Sequence, residues 1–394
     1  MGLTGDSTGA GVLCGCGCTL QIEKETADDK VVALAGNPNV GKSTVFNSLT
    51  GMNQHTGNWP GKTVANAQGK YRHQGTNYVL VDIPGTYSLM ANSEEEEIAR
   101  DFICFGNPDA VVVVADATCL ERNLNLVLQT MEISKRVVLC VNLLDEAKKK
   151  RIRVDLAKLS QELGIPVVGT SARSGKGLNR LMDAVAALTR REDGPQPLRI
   201  DYGSEIEQAV SLLQPSLEKE LGGRLNSRWV ALKLLDGDKS LLGSLRKYLG
   251  EDILSRPEVS ERLRAARAFL ERRGVSGDAF RDRIVTRIVG LCERIGRATV
   301  VCEKGEYAER DRKIDRVLTS KSAGIPIMIL LLLGIFWITI VGANVPSGLI
   351  ADGLFWVEGR LLELFRWAGA PAWVTGLLVE GAYRTLAWVV SVML

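Results

Sequence analysis

The residues from Val31 to Thr50, VVALAGNPNVGKSTVFNSLT, leave few choices of fold. Val31 to Ala35 is a continuous apolar run of the kind found in strands buried on both faces. It breaks at Gly36, passes through Asn37, Pro38, Asn39 and Val40, and restarts as a helix after Gly41 with Lys42, Ser43 and Thr44. The spacing G-x-x-x-x-G-K-S/T is that of a phosphate-binding loop set between a strand and a helix. The two glycines let the loop close so that its backbone N–H groups point inward at phosphate oxygens. Lys42 then lies over the β- and γ-phosphates, Ser43 ligates Mg²⁺, and the helix N-terminus adds its positive dipole end.

Further elements recur at the ends of apolar runs. Gly51 to Thr63 is polar and glycine-rich and reads as a mobile switch loop, with Thr63 a second Mg²⁺ ligand once a triphosphate orders it. Tyr78-Val-Leu-Val-Asp82 is a central strand, and the D-x-x-G spacing to Gly85 suits a carboxylate reaching Mg²⁺ through water, with the Gly85 N–H on the γ-phosphate. The acids after Ser93 read as a capped helix start rather than as catalytic carboxylates. Val137 to Val141 leads into Asn142-Leu-Leu-Asp145, where Asn and Asp can hydrogen-bond a purine edge. A carboxylate that accepts from both N1–H and the 2-amino group of guanine rejects adenine, because it would be left unpaired. Ile165 to Arg173 adds a short strand and a small-residue loop, Ser171-Ala172, whose Ala172 backbone suits the guanine oxygen.

In this order, each at a strand's C-terminal end, the elements resemble the translation-factor-like branch of small P-loop GTPases. That resemblance implies a six-stranded, mostly parallel sheet with one antiparallel edge strand. The stretches GNPNVGKST, GNWPGKTV and DIPGTYSL together resemble the GTPase domain of the FeoB family of bacterial ferrous iron transport proteins. The resemblance implies GTP and GDP as ligands, Mg²⁺ as cofactor and Fe²⁺ as the transported ion. It also implies K⁺ as an activating ion held by Asn39. On this basis Lys42, Asn39, Thr63 and Gly85 carry hydrolysis. Thr86 stands where Ras-like enzymes have the water-orienting glutamine, so slow intrinsic hydrolysis, faster in potassium than in sodium, is expected. N-L-L-D lacks the Lys of N-K-x-D, in keeping with fast nucleotide exchange.

The remaining chain is read as separate blocks. Residues 1–30 form a flexible tail whose Cys14, Cys16 and Cys18 lack a second cluster with metal-site spacing; a soft-metal site there is the alternative. Two histidines exclude a histidine-rich metal centre, and the net charge of +3 gives no sign of nucleic-acid binding. Cys104, Cys119 and Cys140 read as reduced core residues. The GTPase domain takes 31–190. A helical domain takes 198–274, with Ile206, Ala209, Val210, Leu212 and Leu213 on one apolar face. Its position resembles that of FeoB's helical domain, which the family uses to tune GDP release. Residues 275–322 form a basic helical connector, including Arg310 to Arg316, which places this end in the cytoplasm at the inner membrane.

Residues 323–394 read as an incomplete α-helical transmembrane domain. Residues 325–343 are a span, 348–366 an amphipathic helix, and 371–394 a second apolar segment. In the last of these Glu380 and Arg384 are spaced to pair, either along a protein-lined path or near a span's end. Because the chain stops inside an apolar run, a fragment, a truncated frame or half of a split system is expected. The expected partners are lipid, the rest of a permease domain or a second subunit, a small FeoA-like accessory protein, and a second copy in a homo-oligomer; no nucleic acid is expected. The competing reading is a membrane-tethered regulatory GTPase that transports nothing itself. A ribosome-linked GTPase fits less well, since those normally lack a span.

Overall fold

A computed structural model describes residue 22 and residues 24–51, 54–59, 65–90, 93–190, 196–275, 277–302, 317–318, 320 and 323–393. It divides into two compact units, Met1–Glu303 and Lys304–Leu394. The first unit opens with β1 (Lys30–Gly36), α1 (Lys42–Thr50), β2 (Gln54–Asn58), β3 (Ala65–His73), β4 (Thr76–Asp82) and α2 (Glu94–Phe105). Next come β5 (Ala110–Asp116), α3 (Leu120–Ile133), β6 (Val137–Asn142) and α4 (Leu144–Lys149). The domain closes with β7 (Ile152–Val154), α5 (Leu156–Leu163), β8 (Val167–Gly169) and α6 (Leu178–Arg190).

Among the described residues the main sheet has the order β2-β3-β4-β1-β5-β6-β8. β4, β1, β5, β6 and β8 are parallel, and β3 is antiparallel to β4. These are the six expected strands. β2 adds a seventh at the antiparallel edge, paired with β3 from Gln54↔Gly69 to Asn58↔Ala65. That strand lies inside the stretch read as a mobile loop. The next residue, Trp59, is buried edge-on against Phe102, with ring centroids 5.4 Å apart. A ladder and a buried indole therefore order the first half of that segment, and polarity alone misjudged it. Thr63 and the cysteines at 14, 16 and 18 lie outside the described residues.

The apolar runs alternate between two helical layers, as a pleated strand requires. Val32 and Leu34 of β1 join Val112, Val114 and Val138 on the face covered by α1 and α6, through Phe46, Leu181 and Val185. Val31, Ala33 and Ala35 join Val111, Val113, Leu139 and Val141 on the face covered by α2 and α3, through Phe102, Leu124 and Val127. Ser93 caps α2, its Oγ accepting from the Glu96 N–H at 3.3 Å. Cys140 is buried in the sheet and its thiol is pushed up to about 12 by burial, whereas Cys119 is exposed and not a core residue. At pH 8 a thiol reagent is expected to label Cys119 in the folded protein and reach Cys140 only after unfolding. Equal labelling of both under native conditions, read by peptide mass, would contradict this packing.

The helices that follow are α7 (Ser204–Leu221), α8 (Ser227–Asp236), α9 (Lys239–Leu249), α10 (Pro257–Arg272) and α11 (Asp278–Thr299), ending in β9 (Val300–Cys302). Their apolar faces join the α2–α3 side in one contiguous cluster. On α7 the buried stripe is Ile206, Ala209, Val210, Leu213, Leu217 and Leu221. Leu212 is 37% exposed, because one residue before Leu213 is about 100° off that stripe. α11, which its arginines had placed in a connector, instead packs on α3 and α5. Phe280, Ile284, Ile288, Cys292 and Ile295 recur at helical spacing and are buried, so the charges occupy only the outer face. Its end pairs β9 with β7. Asn226 caps α8 and donates Nδ2 to the Glu132 carbonyl at the end of α3 at 2.7 Å. Arg228 meets Glu132 at 3.1 Å and Glu207 at 2.6 Å across the same seam. Burial pushes the Glu132 carboxyl up in spite of Arg228 and Tyr202.

In the second unit α12 (Gly324–Trp367) runs unbroken for 44 residues. It is the helix, among the described residues, that is long and apolar enough to cross a membrane. The expected division into a span and a separate amphipathic helix is not there: the charged residues after 351 change the helix's faces without breaking its backbone. At 1.5 Å per residue it extends about 66 Å, roughly twice a hydrocarbon core. α13 (Ala372–Thr375) follows, and then a π-helical stretch Gly376–Tyr383 and α14 (Arg384–Met393), which pack back on α12. Arg384 does not pair with Glu380. Its guanidinium goes to Glu358 of α12 at 2.7 and 2.8 Å, and Glu358 is 4% exposed. Tyr383 donates to the Leu354 carbonyl at 3.1 Å on the same seam. Glu380 itself is exposed.

Candidate nucleotide-binding site

Parallel pairing brings the loops after β1, β4, β6 and β8 to one edge of the sheet. Leu34 is level with Asp82, Gly36 with Val114, Asp116 with Asn142, and Val141 with Gly169. Ligands of open α/β sheets bind outside this carboxyl edge.

Two glycines of the P-loop are sterically required. A Cβ on Gly36 would stand 2.8 Å from the Val114 carbonyl oxygen. Gly41 has φ +82°, and a Cβ there would stand 2.5 Å from Asn142 Nδ2. Asn39 is also left-handed, at φ +66°. Left-handed residues on either side of Val40 turn successive N–H groups toward one concavity, the geometry of an anion nest. α1 then starts without a side-chain cap and with no acid in its first turn, so its leading N–H groups are left for a ligand.

Lys42 pairs through Nζ with Asp82 Oδ1. Burial raises the Asp82 carboxyl, and the charge and hydrogen bond of Lys42 pull it the other way. Ser43, Thr44, Pro38 and Asn39 are exposed at the loop's mouth, and Val40 is buried beneath it. Among the described residues no three His, Cys, Asp or Glu side chains gather to hold a metal. The oxygen donors at hand are the Ser43 hydroxyl and the Asp82 carboxylate. That fits Mg²⁺, which takes one or two protein oxygens and completes its shell with phosphates and water.

The loop after β4 leans on the P-loop. Ile83 N–H donates to the Leu34 carbonyl at 3.1 Å, and Thr86 N–H to the Gly36 carbonyl at 3.2 Å. A Cβ on Gly85 would lie 3.4 Å from the Pro38 nitrogen. Farther on, Gln129 of α3 accepts from the Leu89 N–H at 2.6 Å and from the Ser88 hydroxyl at 3.2 Å. Nothing in the sequence pattern singled out Gln129, whose helix face also carries Glu132 and Asn125, the latter accepting from its Nε2 at 3.0 Å.

Asn142 is 1% exposed and is used inside the protein. Its Nδ2 donates to the Val40 carbonyl at 3.1 Å, while its Oδ1 accepts from Thr170 Oγ1 at 3.1 Å and Ala172 N–H at 3.0 Å. It ties the P-loop to the loop after β8, so the Ala172 N–H is turned toward Asn142 rather than outward. Ser171 N–H donates to the Lys176 carbonyl at 3.0 Å, and Ser48 of α1 donates to the Ala172 carbonyl at 3.2 Å. Asp145 is exposed in the first turn of α4, just after the left-handed Leu143. Of the purine-edge residues, it is the one whose side chain is open to a ligand.

Comparison with known proteins matches this architecture. The family described as "Ferrous iron transport protein B" matches residues 30–185, and the family "FeoB cytosolic helical domain" matches residues 202–301. The Fe(2+) transport protein A/Fe(2+) transporter FeoB fusion protein of Porphyromonas gingivalis is 35% identical over 355 residues, 89% of this chain and 41% of that protein. The Fe(2+) transporter FeoB of Salmonella typhimurium is 30% identical over 362 residues, 89% of this chain and 44% of that protein. The chain thus spans less than half the length of these relatives. The crystal structure of the cytosolic domain of the T. maritima FeoB iron transporter in GDP form II is 34% identical, with TM-score 0.56, covering 69% of this chain and all of that one. The same domain in its GMPPNP form is 34% identical, with TM-score 0.56, covering 69% and 99%. By its sheet edge, its helical domain and these matches, the chain belongs to the FeoB family, carrying the N-terminal GTPase domain and the cytosolic helical domain.

Proposed function

We propose that this chain is the GTP-binding and GTP-hydrolysing part of a ferrous iron uptake transporter of the cytoplasmic membrane, with the GTPase domain on the cytoplasmic side. The observation that carries the reading is the joining of the P-loop to the base-side loop through Asn142 at one sheet edge. The relatives' printed names supply Fe²⁺ as cargo. Since the chain spans under half of them, ion movement is assigned to the whole transporter, with the remaining permease segments or a second subunit. A FeoA-like protein is a proposed partner, on the precedent of the Porphyromonas gingivalis fusion. The surrounding lipid is met by α12, and self-association into a homo-oligomer is compatible with the same reading.

In this reading Lys42 exchanges the Asp82 carboxylate for the β- and γ-phosphates, and Asp82 would then help to hold Mg²⁺. Ser43, and by expectation Thr63, would hold the same ion. Bound Mg²⁺ supplies neutralisation of the charge on the leaving phosphate oxygens. The N–H groups of residues 39–44 hold the phosphates, and the Gly85 N–H engages the γ-phosphate. Asp145 accepts from the guanine edge. Thr86 is buried and its N–H is held by Gly36, so no side chain at this position orients water. Slow intrinsic turnover follows.

Asn39 offers its exposed amide oxygen beside the phosphates, where K⁺ adds positive charge. GTP hydrolysis measured in KCl and in NaCl is expected to be faster in KCl by about tenfold, the effect of lowering the barrier by about 1.4 kcal/mol. Asn39→Ala is expected to remove the difference. Equal turnover of the unmodified protein in the two salts would reject the role given to Asn39.

A further inference from the structure

Asn37 is 3% exposed, yet among the described residues neither its Nδ2 nor its Oδ1 has a hydrogen-bond partner. At the other end of the same loop Asn142 uses both atoms of its amide. A buried amide with both atoms unsatisfied weakens whichever state contains it, and such a group in a native protein calls for an explanation.

The flanking residues show what lies next to it. The Gly36 carbonyl accepts the Thr86 N–H, and the Pro38 backbone abuts Gly85. The loop from Ile83 to Thr86 therefore runs along residues 34–38, and Asn37 stands in the chain between Gly36 and Pro38, the two residues that touch it. The Ile83 and Thr86 N–H groups are already held and Pro84 has none, so what the amide can offer this loop is its two Nδ2 donors, to the loop's carbonyls. The same loop carries Gly85, the residue assigned to the γ-phosphate.

We infer that Asn37 is a positioning residue for the loop after β4. Its Nδ2 donates to a carbonyl of Ile83–Thr86 when a nucleoside triphosphate draws Gly85 onto the γ-phosphate, and it lacks that bond with a diphosphate or with no nucleotide. The inference rests on the GTPase reading above. A side chain satisfied in one state only shifts the balance between states by that difference. Asn37 thus favours triphosphate over diphosphate without touching either.

The test uses the full chain with Asn37→Ala and Asn37→Leu. GDP and a non-hydrolysable GTP analogue are titrated with Mg²⁺, and the nucleotide-free proteins are melted. In both variants the affinity for the analogue relative to GDP is expected to fall about tenfold, the worth of a recovered buried hydrogen bond. Hydrogen exchange at residues 83–90 should speed up in the analogue complex. The nucleotide-free melting temperature should stay level or rise in at least the leucine variant, since unsatisfied groups have been removed. Equal weakening of both nucleotides overturns the inference. So does a lower nucleotide-free melting temperature in both variants, because the amide is then already satisfied at rest, as by a buried water. An unmodified chain that binds neither nucleotide overturns the GTPase reading and this inference with it. Variants that keep the ratio of an unmodified chain that binds both overturn this inference alone.

Discussion

Asn142→Ala is expected to weaken GDP and GTP together, by about 10- to 100-fold, and to destabilise the nucleotide-free domain by about 2–4 kcal/mol. The loss comes from the groups that Asn142 satisfies. Without Oδ1, the Ala172 N–H and the Thr170 hydroxyl lose a buried acceptor, and each such group costs about 1–3 kcal/mol. Without Nδ2, the Val40 carbonyl loses the bond that fixes the middle of the P-loop. Binding must then order two loops that the native protein holds ready, and each 1.4 kcal/mol of that ordering is about tenfold in affinity. Isothermal titration with GDP and a GTP analogue, beside thermal melting, checks both parts. A change confined to discrimination between guanine and adenine, with stability untouched, would return Asn142 to the base edge and refute the tether. Asp145→Ala serves as the contrast: its exposed carboxylate lets base selectivity fall with little change in stability.

Asn142 also shows where sequence reading succeeds and where it stops. The order of loops follows from chain order and from the parallel sheet, both of which the apolar runs Val31–Ala35, Val111–Val114 and Val137–Val141 announce. Motif spacing therefore put these loops along one sheet edge, and the strand register brings them there. What a side chain does there depends on distances across the fold. Val40 and Ala172 are 132 residues apart in sequence, and no local pattern says that one amide joins them. The same limit explains β2, whose pairing with β3 and whose neighbour Trp59 come from tertiary contacts rather than β-propensity. It explains α11 as well: net charge dominated the reading, although the apolar residues at 280, 284, 288, 292 and 295 were visible at helical spacing. Arg384 makes the point again in the second unit. Glu380 is four residues away in sequence, but the helix that folds back brings Glu358 closer.

The largest loss of stability is expected from Arg100→Ala, about 3–5 kcal/mol, the usual result of removing one partner from a buried ion pair. Arg100 is 0% exposed on α2. Its Nε and Nη2 reach Asp101 Oδ1 at 2.9 and 2.7 Å, and its Nη1 reaches Ser240 Oγ at 2.8 Å and Asp238 Oδ2 at 3.3 Å. Lys233 stands 3.9 Å from the same Asp238 and donates to Met90 Sδ at 3.4 Å. The cluster therefore joins α2 and the end of the loop after β4 to the turn between α8 and α9. For a unit of this size the melting temperature should drop by about 5–9 °C. The pH dependence has a definite sign. Burial already raises the Asp101 carboxyl, with Arg100 pulling it down, so the variant raises it further. A carboxyl whose folded value exceeds its unfolded one favours the fold at low pH and loses that contribution as pH rises through the folded value. The deficit of Arg100→Ala should therefore be smallest near pH 5 and grow toward pH 8. A deficit independent of pH would mean that Asp101 finds another cation. The double variant Arg100→Leu with Asp101→Leu, which removes both charges, should recover part of the loss, as apolar replacement of a buried pair commonly does. If that double variant is as stable as the unmodified protein yet releases GDP at a changed rate, the cluster acts in coupling the nucleotide loop to the helical domain. If GDP release is unchanged, its role is confined to holding the two domains together.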